Sequence, residues 1–188
     1  MENLKLYMLL IGCTPAGRNT EQHDVFFSIA KNVKELVPAI IDFWPEANGK
    51  LHLDAMREVL QVGEYDIGVQ IKETAIKPAI SEAKLFFINL GGYKRDEFEE
   101  FHYKMIVACK DKGEAITESK QTAFYKHVGF AGAPSHVDDK FGVDVDDLYQ
   151  IEDILPPGIK EKYSIVLTKR TEIKNDAVKL GYMMLEKL

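Results

Sequence analysis

Leu6-Tyr-Met-Leu-Leu-Ile-Gly12 and Leu85-Phe-Phe-Ile-Asn-Leu-Gly91, 79 residues apart, decide the fold, because they read as the same first strand used twice. The register holds beyond them. Glu21-x-His23 falls on Glu100-x-His102, and Asn32-x-x-Glu35 falls on Asp111-x-x-Glu114. After a five-residue slip, His52-x-Asp54 falls on His136-x-Asp138. The chain reads as two copies of one unit. A copy of roughly 80 residues would have a marginal core alone, so the expectation is a pseudo-two-fold body in which the copies share buried surface.

Within the first copy, Leu4 to Ile11 is an apolar run of strand length, and Thr14-Pro15-Ala16-Gly17 supplies a turn. His23 to Ala30 alternates, as a second hairpin strand does. Asn32 with Glu35 gives a helix start, and Val33, Leu36, Val37, Ile40 and Trp44 come after it at helical spacing. Pro38 bends that helix or moves its effective start. Extended pieces around His52 and Val59 to Val62, then Tyr65 to Ile71, complete a β-β-α-β-β unit. Residues 1–72 form the first repeat, 73–84 a linker, and 85–170 the second repeat with an insertion near 152–162. Residues 171–188 are a C-terminal extension, in which Gly181 to Leu185 reads as an extra edge strand. In the second copy Gly91-Gly92 reads as a turn, Asp111 to about His127 as the helix, and Pro156-Pro157-Gly158 as part of a surface loop. The fold class is α/β of the α+β type: two such repeats, mainly antiparallel sheet, helices on one face.

Composition bounds the function. Apolar content of 46% and charged content of 29% are those of a folded, soluble protein. The net charge of -6 is spread evenly, with nine basic and twelve acidic residues before Leu85 and fifteen and eighteen from there on. No basic face exists to hold a phosphate backbone, so nucleic acid is not an expected partner. No apolar run reaches the roughly 18 residues that span a bilayer, and the N-terminus lacks a signal-peptide layout. The two cysteines, Cys13 and Cys109, obey no spacing pattern and read as reduced thiols, so a cytoplasmic location is expected.

Four of the five histidines fall on the repeated positions. Residues two apart in a strand point the same way, so Glu21 projects with His23, and His52 with Asp54. If the strands are neighbours, each copy gathers two imidazoles and two carboxylates. Imidazole nitrogen with carboxylate oxygen suits a divalent transition metal such as zinc or manganese, and equally an acid/base pair. The competing reading makes each histidine a fastener of loop to sheet, hydrogen-bonded to its nearby carboxylate. His127 reads as structural or exposed, and Trp44 as core.

Other motifs carry less. The loop Gly12 to Gly17 lacks the order of a dinucleotide fingerprint, and no P-loop succeeds either strand. Cys13 lies near Arg18 and His23, which superficially resembles a thiol nucleophile. Asp138-Asp139 and Asp144-x-Asp146-Asp147 lack the EF-hand spacing and read as a solvated loop or strand edge.

These residues carry a resemblance to a bacterial family known as domain of unknown function 1543, present in one or two copies per protein. The first copy shows it at Asn19-Thr-Glu21-Gln-His23-Asp24, Trp44, Leu51-His52-Leu-Asp54 and Tyr65-Asp-Ile. The second shows it at Phe87-Ile-Asn89-Leu90-Gly91-Gly92-Tyr93, Phe98-x-Glu100-x-His102 and His136-x-Asp138. Cys13, Pro45, Tyr103 and Ala123 depart from the family pattern. The resemblance implies fold and copy number, and supplies no activity or cofactor.

The residues support two functions. One is a small binding or interaction protein with a duplicated Glu-x-His / His-x-Asp polar site, its partner a small molecule or a protein, with self-association open. The alternative is a small metal-dependent hydrolase, with His23, His52 and Asp54 as ligands and Glu21 as proton acceptor for the attacking water. Glu100, His102, His136 and Asp138 are the corresponding residues of the second copy.

Overall fold

A computed structural model describes residues 3–74, 82–93, 96–121, 144–172 and 175–188. The chain divides into two compact units, Met1–Ile80 with Ile154–Leu188, and Ser81–Asp153. The architecture is mixed α/β, with mainly antiparallel sheets and helices on one face.

In the first unit, β1 (Lys5–Cys13) and β2 (Gln22–Ala30) form the hairpin that their apolar alternation predicts. β3 (His52–Val59) pairs with the other side of β1, and β10 (Val178–Met184) pairs with β3. The sheet order is β10-β3-β1-β2, so the C-terminal extension does supply an edge strand. A second sheet has the order β4-β5-β9, from β4 (Gln61–Val62), β5 (Tyr65–Ile71) and β9 (Tyr163–Lys169).

Tyr7, Leu9, Ile11 and Cys13 lie on one face of β1 and pack with Phe26, Leu53, Leu36 and Ile40 in the core under the helical segment. Alternation therefore puts Gly12 on the opposite face. The helical segment starts where Asn32 places it, with Asn32 Oδ1 accepting the Glu35 amide and Glu35 Oε2 accepting the Lys31 amide. Pro38 then divides the segment in two. Residues Val33–Leu36 form a 3-10 turn, and α1 (Val37–Phe43) begins with Pro38 in its first turn, where a missing N–H is harmless. Trp44 packs, half-buried, against the core.

In the second unit, β6 (Lys84–Tyr93), β7 (Glu100–Cys109) and β8 (Asp144–Gln150) make a sheet of order β7-β6-β8. Phe86, Ile88 and Leu90 face the core with Val107, Cys109 and Ala115 of α2 (Lys112–Lys120). Asp111 caps α2 as Asn32 caps the first helical segment: Asp111 Oδ1 accepts the Glu114 amide and Glu114 Oε2 accepts the Lys110 amide.

The sequence expectations need two corrections. Gly91 and Gly92 are strand residues of β6, not a turn. The 152–162 insert is not purely a surface loop: it opens within a 3-10 turn (Ile151–Asp153) and ends in α3 (Pro157–Lys162), and Leu155 between them is buried. His127, His136 and Asp138 lie outside the described residues.

Candidate functional site

Gly12 sits in β1 directly between His23 of β2 and His52 of β3, each being its cross-strand partner. Partners in such a row share a face, and the two outer strands are about 10 Å apart. Because the central residue has no side chain, both imidazoles lean inward over it. Asp54 joins them through a break in the ladder: Leu10 pairs with Ala55 and Ile11 with Leu53, which leaves Asp54 as the extra residue of a bulge. Bulges re-aim a side chain in this way. A Cβ on Gly12 would lie 2.5 Å from Asp54 Oδ2 and 2.6 Å from His52 Nε2. Glu21 reaches in from the residue before β2.

Four ligand-type side chains therefore crowd one point. His23 Nε2 lies 3.2 Å from Asp54 Oδ2 and 3.5 Å from Glu21 Oε2. His52 Nε2 lies 3.0 Å from Glu21 Oε1 and 3.3 Å from Asp54 Oδ2. Yet His52 Nε2 and Asp54 Oδ2 are both buried and neither has a hydrogen-bond partner of adequate geometry among the described residues. Fastener histidines would be satisfied by their carboxylates, since an orphaned buried polar group costs about 1–3 kcal/mol. The separations of 3.0–3.5 Å are those of ion pairs and equally those of donors around one ion, since bonds of about 2.1 Å in tetrahedral array put ligand atoms about 3.4 Å apart.

The site has an aromatic neighbour. The Tyr182 ring from β10 stacks on the His52 ring, with centroids 4.3 Å apart and planes at 30°. Tyr182 also lines a cavity of about 380 Å³ together with Met56, Lys179, Met183 and Met184.

A second cluster occupies the other unit. His102 of β7 is the cross-strand partner of Gly91, whose partner on the other side is Asp144 of β8. The ladder again slips, Asn89 pairing with Asp147 and Leu90 with Val145, so that Asp146 is the extra residue. A Cβ on Gly91 would overlap the Asp146 carboxylate. His102 Nε2 is 3.3 Å from Asp146 Oδ2 and 3.8 Å from Glu100 Oε2, and ligand atoms of Glu100, His102 and Asp146 all lie within 4.8 Å of one another. This group is more open to solvent than the first.

The structure thus brings Glu21, His23, His52 and Asp54 together, and Glu100 with His102. Sequence reasoning missed Asp146, which it read as part of a solvated acidic run. The signal lay in its offset from the Gly91 strand, because an Asp-x-Asp ending at 146 enters the sheet where His52-x-Asp54 does. Tyr182 was also missed, and no local signal marked it. The thiols are held in the protonated form: burial, then the nearby Glu21 charge, pushes the Cys13 thiol up, and burial with the Glu118 carboxylate pushes Cys109 up to about 12.

Fold and site together define a mixed α/β protein that carries a histidine–carboxylate cluster over a strand glycine. Residues 18–69, which include all four first-unit site residues, match the family described as Domain of Unknown Function (DUF1543). That stretch of the chain is therefore DUF1543-like. Its fold is similar to the crystal structure of a protein Il1583 from Idiomarina loihiensis, with a TM-score of 0.63 and 21% identity over 97% of this chain and 98% of that one. It is also 21% identical over 153 residues to kinetochore protein Nuf2 of Rattus norvegicus, covering 80% of this chain. The chain spans 33% of that protein's length, and the match transfers no activity. Among the described residues no helix is long and apolar enough to cross a membrane.

Proposed function

We propose that this protein is a small metal-dependent hydrolase whose centre is held by His23, His52 and Asp54. The carrying observation is the pair of buried, unsatisfied atoms, His52 Nε2 and Asp54 Oδ2, set at ligand spacing with His23 Nε2 and Glu21. Two imidazoles and a carboxylate suit zinc or manganese, and the bound ion would supply a Lewis acid. Glu21 is the most exposed member, its side chain 43% accessible, and it reaches both histidines from the residue before β2. It takes the proton from the attacking water and returns it to the leaving group. The resemblance of the cluster at Glu100, His102 and Asp146 supports reading the chain as two tandem copies, the second site more open and weaker.

A binding protein without catalysis is the second reading, favoured by the exposed apolar row Val178, Leu180 and Tyr182 on edge strand β10. Elemental analysis and calorimetry on tag-free protein, with His23→Ala and His52→Ala, test the centre. Near-stoichiometric zinc or manganese, lost in both folded variants, supports it; wild-type protein that takes up neither ion sinks it. Hydrolysis of ester or phosphoester probes by the loaded protein, abolished in Glu21→Gln, separates the enzyme from the binder.

A further inference from the structure

We propose that Tyr182 is a positioning residue of the first-unit centre: it backs the His52 ring and holds Nε2 on the point shared with His23 and Asp54. This rests on the metal-site reading above. Three observations carry it. First, His52 is 6% exposed while Tyr182 is 67% exposed, so burial does not explain where the tyrosine sits. Its stack on His52 does, at 4.3 Å and 30°.

Second, β10 is built to deliver that ring. Leu180 pairs with Ala55 and Met183 with Leu53, so Gly181 and Tyr182 together face the single residue Asp54. Gly181 has φ of +116°, a conformation that side-chain-bearing residues rarely adopt. The extra residue in β10 breaks the regular alternation and turns Tyr182 over β3. Thus the bulge that aims Asp54 and the bulge that aims Tyr182 lie opposite each other.

Third, rotation of an imidazole about its Cβ–Cγ bond is the motion that carries Nε2 off a metal point, and a flat partner on the ring face opposes it. Groups behind the ligands fix orientation in this way. In the second unit β8 is the sheet edge, and among the described residues no strand takes the place of β10. The Glu100–His102–Asp146 cluster therefore serves as an internal control.

The test uses the full tag-free chain as wild type, Tyr182→Phe and Tyr182→Ala. Zinc affinity is measured by calorimetry, the ligand field by the visible spectrum of cobalt(II) protein, and the metal-free His52 ring by its NMR resonances. Tyr182→Ala is expected to weaken the tighter zinc site about 10–100-fold, to change the cobalt spectrum and to move the His52 ring resonances, with the weaker site unaltered. Tyr182→Phe retains the stack and restores all three. Equal zinc affinity and an unchanged cobalt spectrum in Tyr182→Ala would overturn the proposal. If wild type binds no ion, the metal-site reading fails by itself. His52 resonances identical in wild type and Tyr182→Ala would then overturn the positioning role as well.

Discussion

Asp54 lies over Gly12 so closely that a methyl group on that glycine would stand 2.5 Å from its Oδ2. The site is therefore floored by backbone. Gly12 is in an ordinary strand conformation, so alanine is excluded there by the side chains above it and not by its own dihedrals.

Gly12→Ala should accordingly displace Asp54 and His52 while the sheet survives. The expected outcome is a loss of zinc affinity of at least about tenfold with a destabilisation of about 1–3 kcal/mol. Calorimetry and urea denaturation read the two effects separately. Gly91→Ala should act in the same way on the Glu100–His102–Asp146 cluster and leave the first unaffected.

Asp176 should prove a major anchor of β10. Its side chain is 4% exposed, and Oδ2 accepts from Arg57 Nε at 3.0 Å, from the Leu60 amide at 3.0 Å and from the Gln61 amide at 3.2 Å. Asp176→Ala takes the carboxylate from Arg57, which keeps the Gln61 carbonyl, and the acceptor from the Gln61 amide, while the Leu60 amide keeps the Glu58 carbonyl, and a loss of about 1–3 kcal/mol is expected in urea denaturation. Because β10 carries Tyr182, zinc affinity should fall with it.

Alkaline pH should destabilise the fold through Tyr7. Burial, reinforced by Glu58, which accepts its hydroxyl at 3.2 Å, pushes the phenol from 10.0 up to about 12. The folded value lies above the unfolded one, so this contribution is intact below pH 10 and is lost as pH rises towards 12. Denaturation at pH 9, 10 and 11 should show that fall in wild type, and a shallower one in Tyr7→Phe.

Neither thiol should react with a disulfide reagent in the native protein at neutral pH. Cys13 and Cys109 are both buried and both pushed towards the thiol form. Full labelling should appear only on unfolding. Rapid labelling of Cys13 in native protein would contradict its placement in the core.

The helix caps are the simplest control on the architecture. Asp111→Ala removes the acceptor for the Glu114 amide and should cost about 1 kcal/mol, measured by thermal unfolding. Asn32→Ala should do the same for the first helical segment.

Much of this architecture is legible in the residues themselves. Alternation specifies the β1–β2 hairpin, and Asn32 and Asp111 mark their helices, because these signals act within a few residues. Glu21, His23, His52 and Asp54 are readable because a strand's period of two puts each pair on one face. The bulges at Asp54 and Asp146 are not readable. A bulge is a mismatch between two strands, so neither strand's own sequence contains it. The same reason hides Asp146 in an acidic run, and makes Gly91 resemble a turn residue when its lack of a side chain serves the carboxylate above it. Tyr182 is out of reach because its role depends on the pairing of β10 with β3.

That pairing gives the site a timetable. Arg57 of β3 and its partner Asp176 beside β10 are 119 residues apart in the chain. At about 5–20 residues per second on the ribosome, a growing chain displays His23, His52 and Asp54 for roughly 6–24 s before the strand that backs them is made. During that interval the His52 ring has no Tyr182 against its face.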